Sequence, residues 1–194
     1  MKLSLLPILF LFLSCNNRNI KPKEYSDYSE QLAKIKKFTK QHKYNQEKAF
    51  MIDYSLHSGL PRFFVVDIKN NKILDKGLVC HGDCKGRNKA GNVEYFSNTK
   101  DSNCTSLGFA LVAERAESRW GNKFKYWLNG LEESNSNMRD RVVVLHAWSI
   151  VPSKKVYPNN IGTSWGCPTV SIKFLDKLDV ILKKEKQVLL YSFN

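Results

Sequence analysis

The chain has 194 residues, is 42% hydrophobic and 25% charged, and carries a formal net charge of +13. That length makes one domain of ordinary size, able to bury a sizeable core, with no internal repeat or low-complexity tract. The basic balance suits nucleic acid, anionic lipid or an acidic polymer as partner, although lysine on a solvated face needs no partner at all.

The first predicted element is a leader, "MKLSLLPILFLFLSCNN". Lys2 supplies a positive start and Leu3–Leu13 an apolar stretch of eleven residues. A bilayer span needs about 20 apolar residues, so this stretch fits a secretory signal instead. It ends at Ser14-Cys15, which resembles a bacterial lipoprotein signal with Cys15 as the lipid-carrying residue. An ordinary signal peptide or a short uncleaved anchor is the alternative. Residues 1–14 are thus read as leader, 15–27 as tether and 28–194 as the folded domain. Outside the cytoplasm nucleic acid drops out as partner. A carboxylate-rich wall polymer or a lipid surface replaces it.

Leu32, Ile35 and Phe38 recur at three-residue steps after Ser29, which predicts a helix over about 29–42 with Ser29 as its N-cap. The texture then turns to β. "AFMIDYSL", "FFVVDI" and "ILDKGLVC" are separated by the turns "SGLPR" and "KNNK". "TSLGFALVAE" is a further strand. Residues 115–140 are read as loops around a short strand near 124–131. "RVVVLHA" is the clearest strand and runs into His146. "SIKFLDKLDVILKKE" predicts a helix over about 172–185, and "QVLLYSF" closes with a strand. Six or seven short strands with two flanking helices indicate a mainly β domain, a β-sandwich or partly closed barrel.

Five cysteines are present: Cys15, Cys80, Cys84, Cys104 and Cys167. An exported domain can hold disulfides. Either Cys84–Cys104 or Cys80–Cys104 is a reasonable pair. The Cys80-x3-Cys84 spacing lacks a second ligand pair, so no metal is expected. Cys167 is left over as a free thiol. It sits in "IGTSWGCPTVS", among turn-forming residues that present a side chain rather than bury it.

A thiol needs a base within reach and donors for the oxyanion it generates. His42 and His57 read as surface residues, whereas His146 ends a rigid strand. The loop from His146 to Cys167 is 21 residues long, enough to leave the strand and return. Gly166 lets the backbone approach a substrate, so the amides of Gly166 and Cys167 can point at a carbonyl oxygen. Ser164 can bond inside the turn or orient the histidine.

"HAWSIVPSKKVYPNNIGTSWGCPTVS" resembles the signature of the L,D-transpeptidase catalytic domain, and within it the murein branch with its Ser-Trp-Gly-Cys-Pro turn. Seventeen residues separate His146 from Ser164, within the family's range. "IDYSLHSGLPRFFVVDIKNNK", "VCHG", "TSLGFALVAE" and "LNGLEESNSNMRDRVVVLHA" are similar to family segments in the same order. Two departures stand out. Ala147 replaces the usual glycine after the histidine, and Trp165 stands where the broader family has histidine.

The resemblance implies a β-sandwich enzyme acting on peptidoglycan stem peptides, without metal or cofactor. Cys167 would attack the third-residue carbonyl and expel the terminal D-alanine, with His146 as base and the Gly166 and Cys167 amides on the oxyanion. His81, Asn137, Arg139 and Trp165 would line the cleft. The thioester would pass to an amine of a second stem. Water as acceptor would make a carboxypeptidase or endopeptidase, and a lipid-tethered wall-binding module without turnover is the alternative from another class. A papain-like protease has the opposite order of cysteine and histidine.

Overall fold

The computed structural model describes residues 27–119 and 121–194. The leader, Cys15 and the tether up to residue 26 lie outside the described residues, as does Trp120. Helix α1 (Ser29–Gln41) opens the domain, followed by β1 (Lys48–Asp53), β2 (Phe63–Asp67), β3 (Lys72–Gly77) and β4 (Val79–Cys80). β5 (Gly108–Glu117), β6 (Phe124–Gly130), a 3-10 turn (Glu133–Met138) and β7 (Val144–Ala147) come next. β8 (Thr169–Val170), helix α2 (Ile172–Lys184) and β9 (Leu189–Phe193) complete the chain.

The strands form one nine-stranded sheet in the order β3-β2-β1-β9-β5-β6-β7-β8-β4. β1 pairs parallel with β9 and β7 parallel with β8; the other pairs are antiparallel. The two ends of that order, β3 and β4, are consecutive in the chain with only Leu78 between them. A sheet whose edges are joined so closely must curl, and the result is a nearly closed barrel. Register shifts at Val65/Val66 and Val112/Arg115 supply local bends.

Two apolar clusters explain the sequence pattern. Phe50 and Ile52 of β1 face the cluster that holds Phe174, Leu175 and Leu178 of α2. Ala49 and Met51 face the other side, packed with Ile35 of α1. With both faces covered, β1 reads as a continuous apolar run rather than an alternating one. The mainly β architecture and both helices follow the sequence expectation.

Four details differ from it. Nine strands replace six or seven, because two-residue pairings such as β4 and β8 leave no periodic signal. Ser29 is the first helical residue rather than the cap, since its N–H and hydroxyl both bond the Asp27 carboxylate. β5 extends to Glu117 and the loop after β6 contains the 3-10 turn. The strand expected from Arg141 begins only at Val144, because Val142 adopts a left-handed φ of 58°.

Candidate active site

The turn carrying Cys167 is built on its neighbours before any chemistry is considered. The Ser164 N–H donates to the His81 carbonyl at 2.7 Å, and Asp83 N–H donates to the Ser164 carbonyl at 2.9 Å. The Ser164 hydroxyl donates across the turn to the Cys167 carbonyl at 2.7 Å. Gly166 N–H contacts the Ser164 hydroxyl oxygen at 3.3 Å. Gly166 has φ 104°, and a Cβ there would lie 2.7 Å from the Cys104 carbonyl oxygen. Only glycine fits both the conformation and the space.

β7 and β8 then bring the histidine to the sulfur. His146 is in register with Thr169, two residues past Cys167. The His146 N–H also bonds the Pro168 carbonyl at 3.4 Å. The two rows therefore sit side by side through sheet pairing rather than through the long connecting loop. The His146 Nδ1 lies 3.1 Å from the Ala147 carbonyl oxygen. That oxygen can only accept, so Nδ1 carries the proton and Nε2 holds the lone pair. The Thr169 hydroxyl is 3.0 Å from Nε2 and 3.2 Å from the Cys167 carbonyl. The Cys167 carbonyl, with two lone pairs, accepts from both the Ser164 and the Thr169 hydroxyls, which leaves the Nε2 lone pair open to a proton.

Both reactive groups are biased towards neutrality at rest. Burial pushes the Cys167 thiol up, opposed by the Val144 N–H 3.4 Å from the sulfur and by the charges of Arg141 and Lys125. Burial holds the His146 imidazole below its ordinary value. A neutral thiol and a neutral imidazole lining one cleft suit proton transfer to the base as a carbonyl arrives. Cys167 and His146 line one open cleft of about 850 Å³. Lys125, Arg141, Glu117 and Trp165 share its walls. Among the described residues no group of three His, Cys, Asp or Glu could hold a metal.

The expected residues separate into two sets. Cys167, His146, Ser164 and Trp165 all line the cleft, with Gly166 in the same turn. Trp165 is 80% exposed, an apolar plate open to a ligand. His81, Asn137 and Arg139 are not part of that lining. His81 is fully buried; its Nδ1 accepts from Arg62 Nη2 at 2.7 Å and its Nε2–H donates to the Lys89 carbonyl at 2.9 Å. That arrangement keeps the ring neutral, and desolvation with the Arg62 charge lowers its pKa to about 3. Its contribution to the site is its carbonyl, which anchors Ser164. Arg139 pairs with Glu114 and stacks 4.2 Å over the Trp127 ring. Asn137 bonds Asn98 through both its N–H and its amide.

Of the two disulfides left open, the structure forms Cys84–Cys104, with Cys80 buried and free. Arg141, Lys125 and Thr169 are among the cleft residues that sequence reading missed. Thr169 carried a usable signal, since alternation along a strand puts residues two apart on one face. Arg141 and Lys125 carried none, because they reach the cleft only through long-range pairing.

Solved structures to which this chain is similar include an L,D-transpeptidase of Enterococcus faecium, at 12% identity over 76% of this chain and 50% of that one, TM-score 0.46. The helical cell shape determining protein Pgp2 of Campylobacter jejuni is similar at 11% identity over 77% and 49%, TM-score 0.43. An L,D-transpeptidase of Mycobacterium smegmatis is similar at 11% over 76% and 59%, TM-score 0.43. This chain thus spans roughly half the length of the first two and somewhat more of the third. No curated protein is significantly similar to it. The family model for the L,D-transpeptidase catalytic domain, however, matches residues 19–191, nearly the whole chain and every cleft element described above. A cysteine turn braced on one side and a histidine strand paired to it are therefore features of a chain that belongs to the L,D-transpeptidase catalytic-domain family.

Proposed function

We propose that the protein is a peptidoglycan L,D-transpeptidase that uses Cys167 as nucleophile and His146 as base. The observation that carries this reading is the shared cleft: the imidazole stands on β7, the thiol stands on the turn that runs into β8, and the parallel pairing of β7 with β8 brings both to one cleft. In the first half-reaction the thiol proton moves to Nε2 of His146 while sulfur bonds to the carbonyl carbon of the third stem residue. The oxyanion takes a hydrogen bond from the Cys167 N–H, since the Gly166 N–H is directed to the Ser164 hydroxyl oxygen within the turn. Collapse breaks the peptide bond, and His146 returns the proton to the departing amine of the terminal D-alanine. In the second half-reaction the incoming amine gives a proton to His146 and bonds to the thioester carbonyl carbon, the carbon–sulfur bond breaks, and His146 returns the proton to the sulfur. The wide, open cleft with its exposed Trp165 suits a polymer rather than a small free metabolite.

Incubation of the full chain with purified sacculi tests this reading by muropeptide analysis. New dimers joined between two third residues are expected with the wild type and none with Cys167→Ala. Shortened stems without dimers assign water as the acceptor. Identical patterns from wild type and variant overturn the catalytic reading.

We propose further that the leader ending at Cys15 exports the chain and leaves it lipid-anchored, facing the wall. The apolar stretch Leu3–Leu13 and its Ser-Cys end support this. In cells, Cys15→Ala is expected to move the protein from the membrane to the soluble fraction. Unchanged membrane retention overturns the anchor.

A further inference from the structure

We propose that Arg141 is a positioning residue that favours ionisation of the Cys167 thiol, and that the loop closed by Cys84–Cys104 aims it. The guanidinium lines the same cleft as the sulfur. It donates to four oxygens, all from one short segment. Nη1 reaches the Ser97 carbonyl at 2.8 Å and the Ser106 hydroxyl at 2.5 Å. Nη2 reaches the Cys104 carbonyl at 2.6 Å and the Ser102 hydroxyl at 3.3 Å. All four acceptors are neutral, and no carboxylate pairs with Arg141 among the described residues. The positive charge therefore stays uncompensated at the cleft wall. A bound but unpaired guanidinium differs from Arg139, whose charge is taken up by Glu114.

The segment that holds Arg141 also braces the nucleophile turn. The Cys104 carbonyl that accepts from Nη2 lies 2.7 Å from the position a Gly166 Cβ would take, and Nη2 itself lies 3.3 Å from it. Cys84 N–H bonds the Asn103 carbonyl at 3.2 Å, and Gly82 N–H bonds the Thr105 hydroxyl at 2.9 Å. Gly82 in turn bridges to Ser164. The disulfide thus ties one strand-end to the loop that grips the arginine, with the cysteine turn between them. Other groups around the sulfur are His146 on β7, Lys125 on β6, Glu117 at the end of β5, the exposed Arg119 just beyond it, and the buried Tyr54 hydroxyl. Lys125 lies 4.9 Å over the Trp127 ring and Glu117 is exposed, so neither replaces a fixed charge held at four points. A cation there stabilises the thiolate against the burial that opposes it.

The inference rests on Cys167 as the nucleophile but not on any substrate. Its test is the pH profile of Cys167 alkylation by iodoacetamide, read on the full chain by peptide mass spectrometry. Arg141→Gln is expected to move the midpoint up by about one pH unit, which slows alkylation at neutral pH about tenfold. Arg141→Lys is expected to recover most of that shift. The double variant Cys84→Ser, Cys104→Ser is expected to move the midpoint in the same direction, because the Cys104 carbonyl loses its anchor. A loss of packing alone would leave the midpoint where it is. An unmoved midpoint in a natively folded Arg141→Gln protein, or no recovery with lysine, overturns the proposal. If Arg141→Gln does not fold, the double variant decides alone, and an unmoved midpoint again overturns it. Failure of stem peptides to acylate Cys167 would overturn the transpeptidase reading and leave this result untouched.

Discussion

Gly166 shows how much one backbone position can hold in place. With φ at 104° and the Cys104 carbonyl 2.7 Å from the Cβ position, alanine there is strained twice. Such a position costs about 1–3 kcal/mol when a side chain is forced into it. Gly166→Ala is expected to slow acylation of Cys167 by about tenfold or more, measured as the rate of thioester formation with a stem tetrapeptide. His81 gives a second prediction, from pH. Its folded pKa is lowered to about 3 from 6.5, because burial and then the charge of Arg62 beside Nδ1 disfavour the protonated ring. Between those values the unfolded ring binds a proton that the folded ring refuses, so stability is full above 6.5 and is lost as pH falls towards 3. The melting temperature is expected to fall over that window. His81→Gln, which can accept and donate at the same two places without titrating, is expected to flatten the decline.

At this scale the sequence was informative where the chemistry is local. Ser164, Gly166 and Cys167 lie within one turn, and His146 ends a strand, so their types and spacing could be read directly. Arg141 could not, since its partners Ser97 and Ser106 are 44 and 35 residues away. Ser, Cys and Asn between residues 97 and 106 have no periodicity to announce a guanidinium socket.

Among the elements, α2 matters most for the site, because it follows β8 directly and covers the core beneath it. Its N-cap is Ser171, whose hydroxyl oxygen accepts from Phe174 N–H at 3.2 Å. Ser171→Ala is expected to cost about 1 kcal/mol, read as a shift of the urea midpoint. The bulk of its stabilisation comes from Phe174, Leu175 and Leu178 buried against β1 and β2 residues. Both helices were legible because each keeps one apolar stripe. The valine run of "RVVVLHA" misled at its start. Hydrophobicity there reflects burial of Val143 and Val144, while Val142 turns into the left-handed region and is 54% exposed. Its carbonyl lies 3.7 Å from the Cys167 sulfur. Strand propensity could not foresee a β-branched residue in that conformation.

For the molecule as a whole, the mainly β class followed from composition and turn spacing, but the order of the strands did not. β9, the last strand, lies between β1 and β5, and nothing in its own residues names those partners. The disulfide was ambiguous for the same reason, as only the folded chain separates buried Cys80 from Cys84. Closing a loop with a sequence separation of 20, it is expected to contribute about 3 kcal/mol. Urea unfolding with and without a reductant measures this, and the reduced protein should unfold at the lower midpoint.

The position of β9 has a consequence for what happens when the chain is cut. Ser153, Lys154 and Lys155 are exposed on the excursion that joins the two reactive rows. A trypsin nick there, made after folding, would put the base on one fragment and the nucleophile on the other. The smaller fragment still threads its last strand through the middle of the sheet, clasped on both sides. The pieces should stay interlocked with their chemistry intact, and come apart only when the barrel itself is opened.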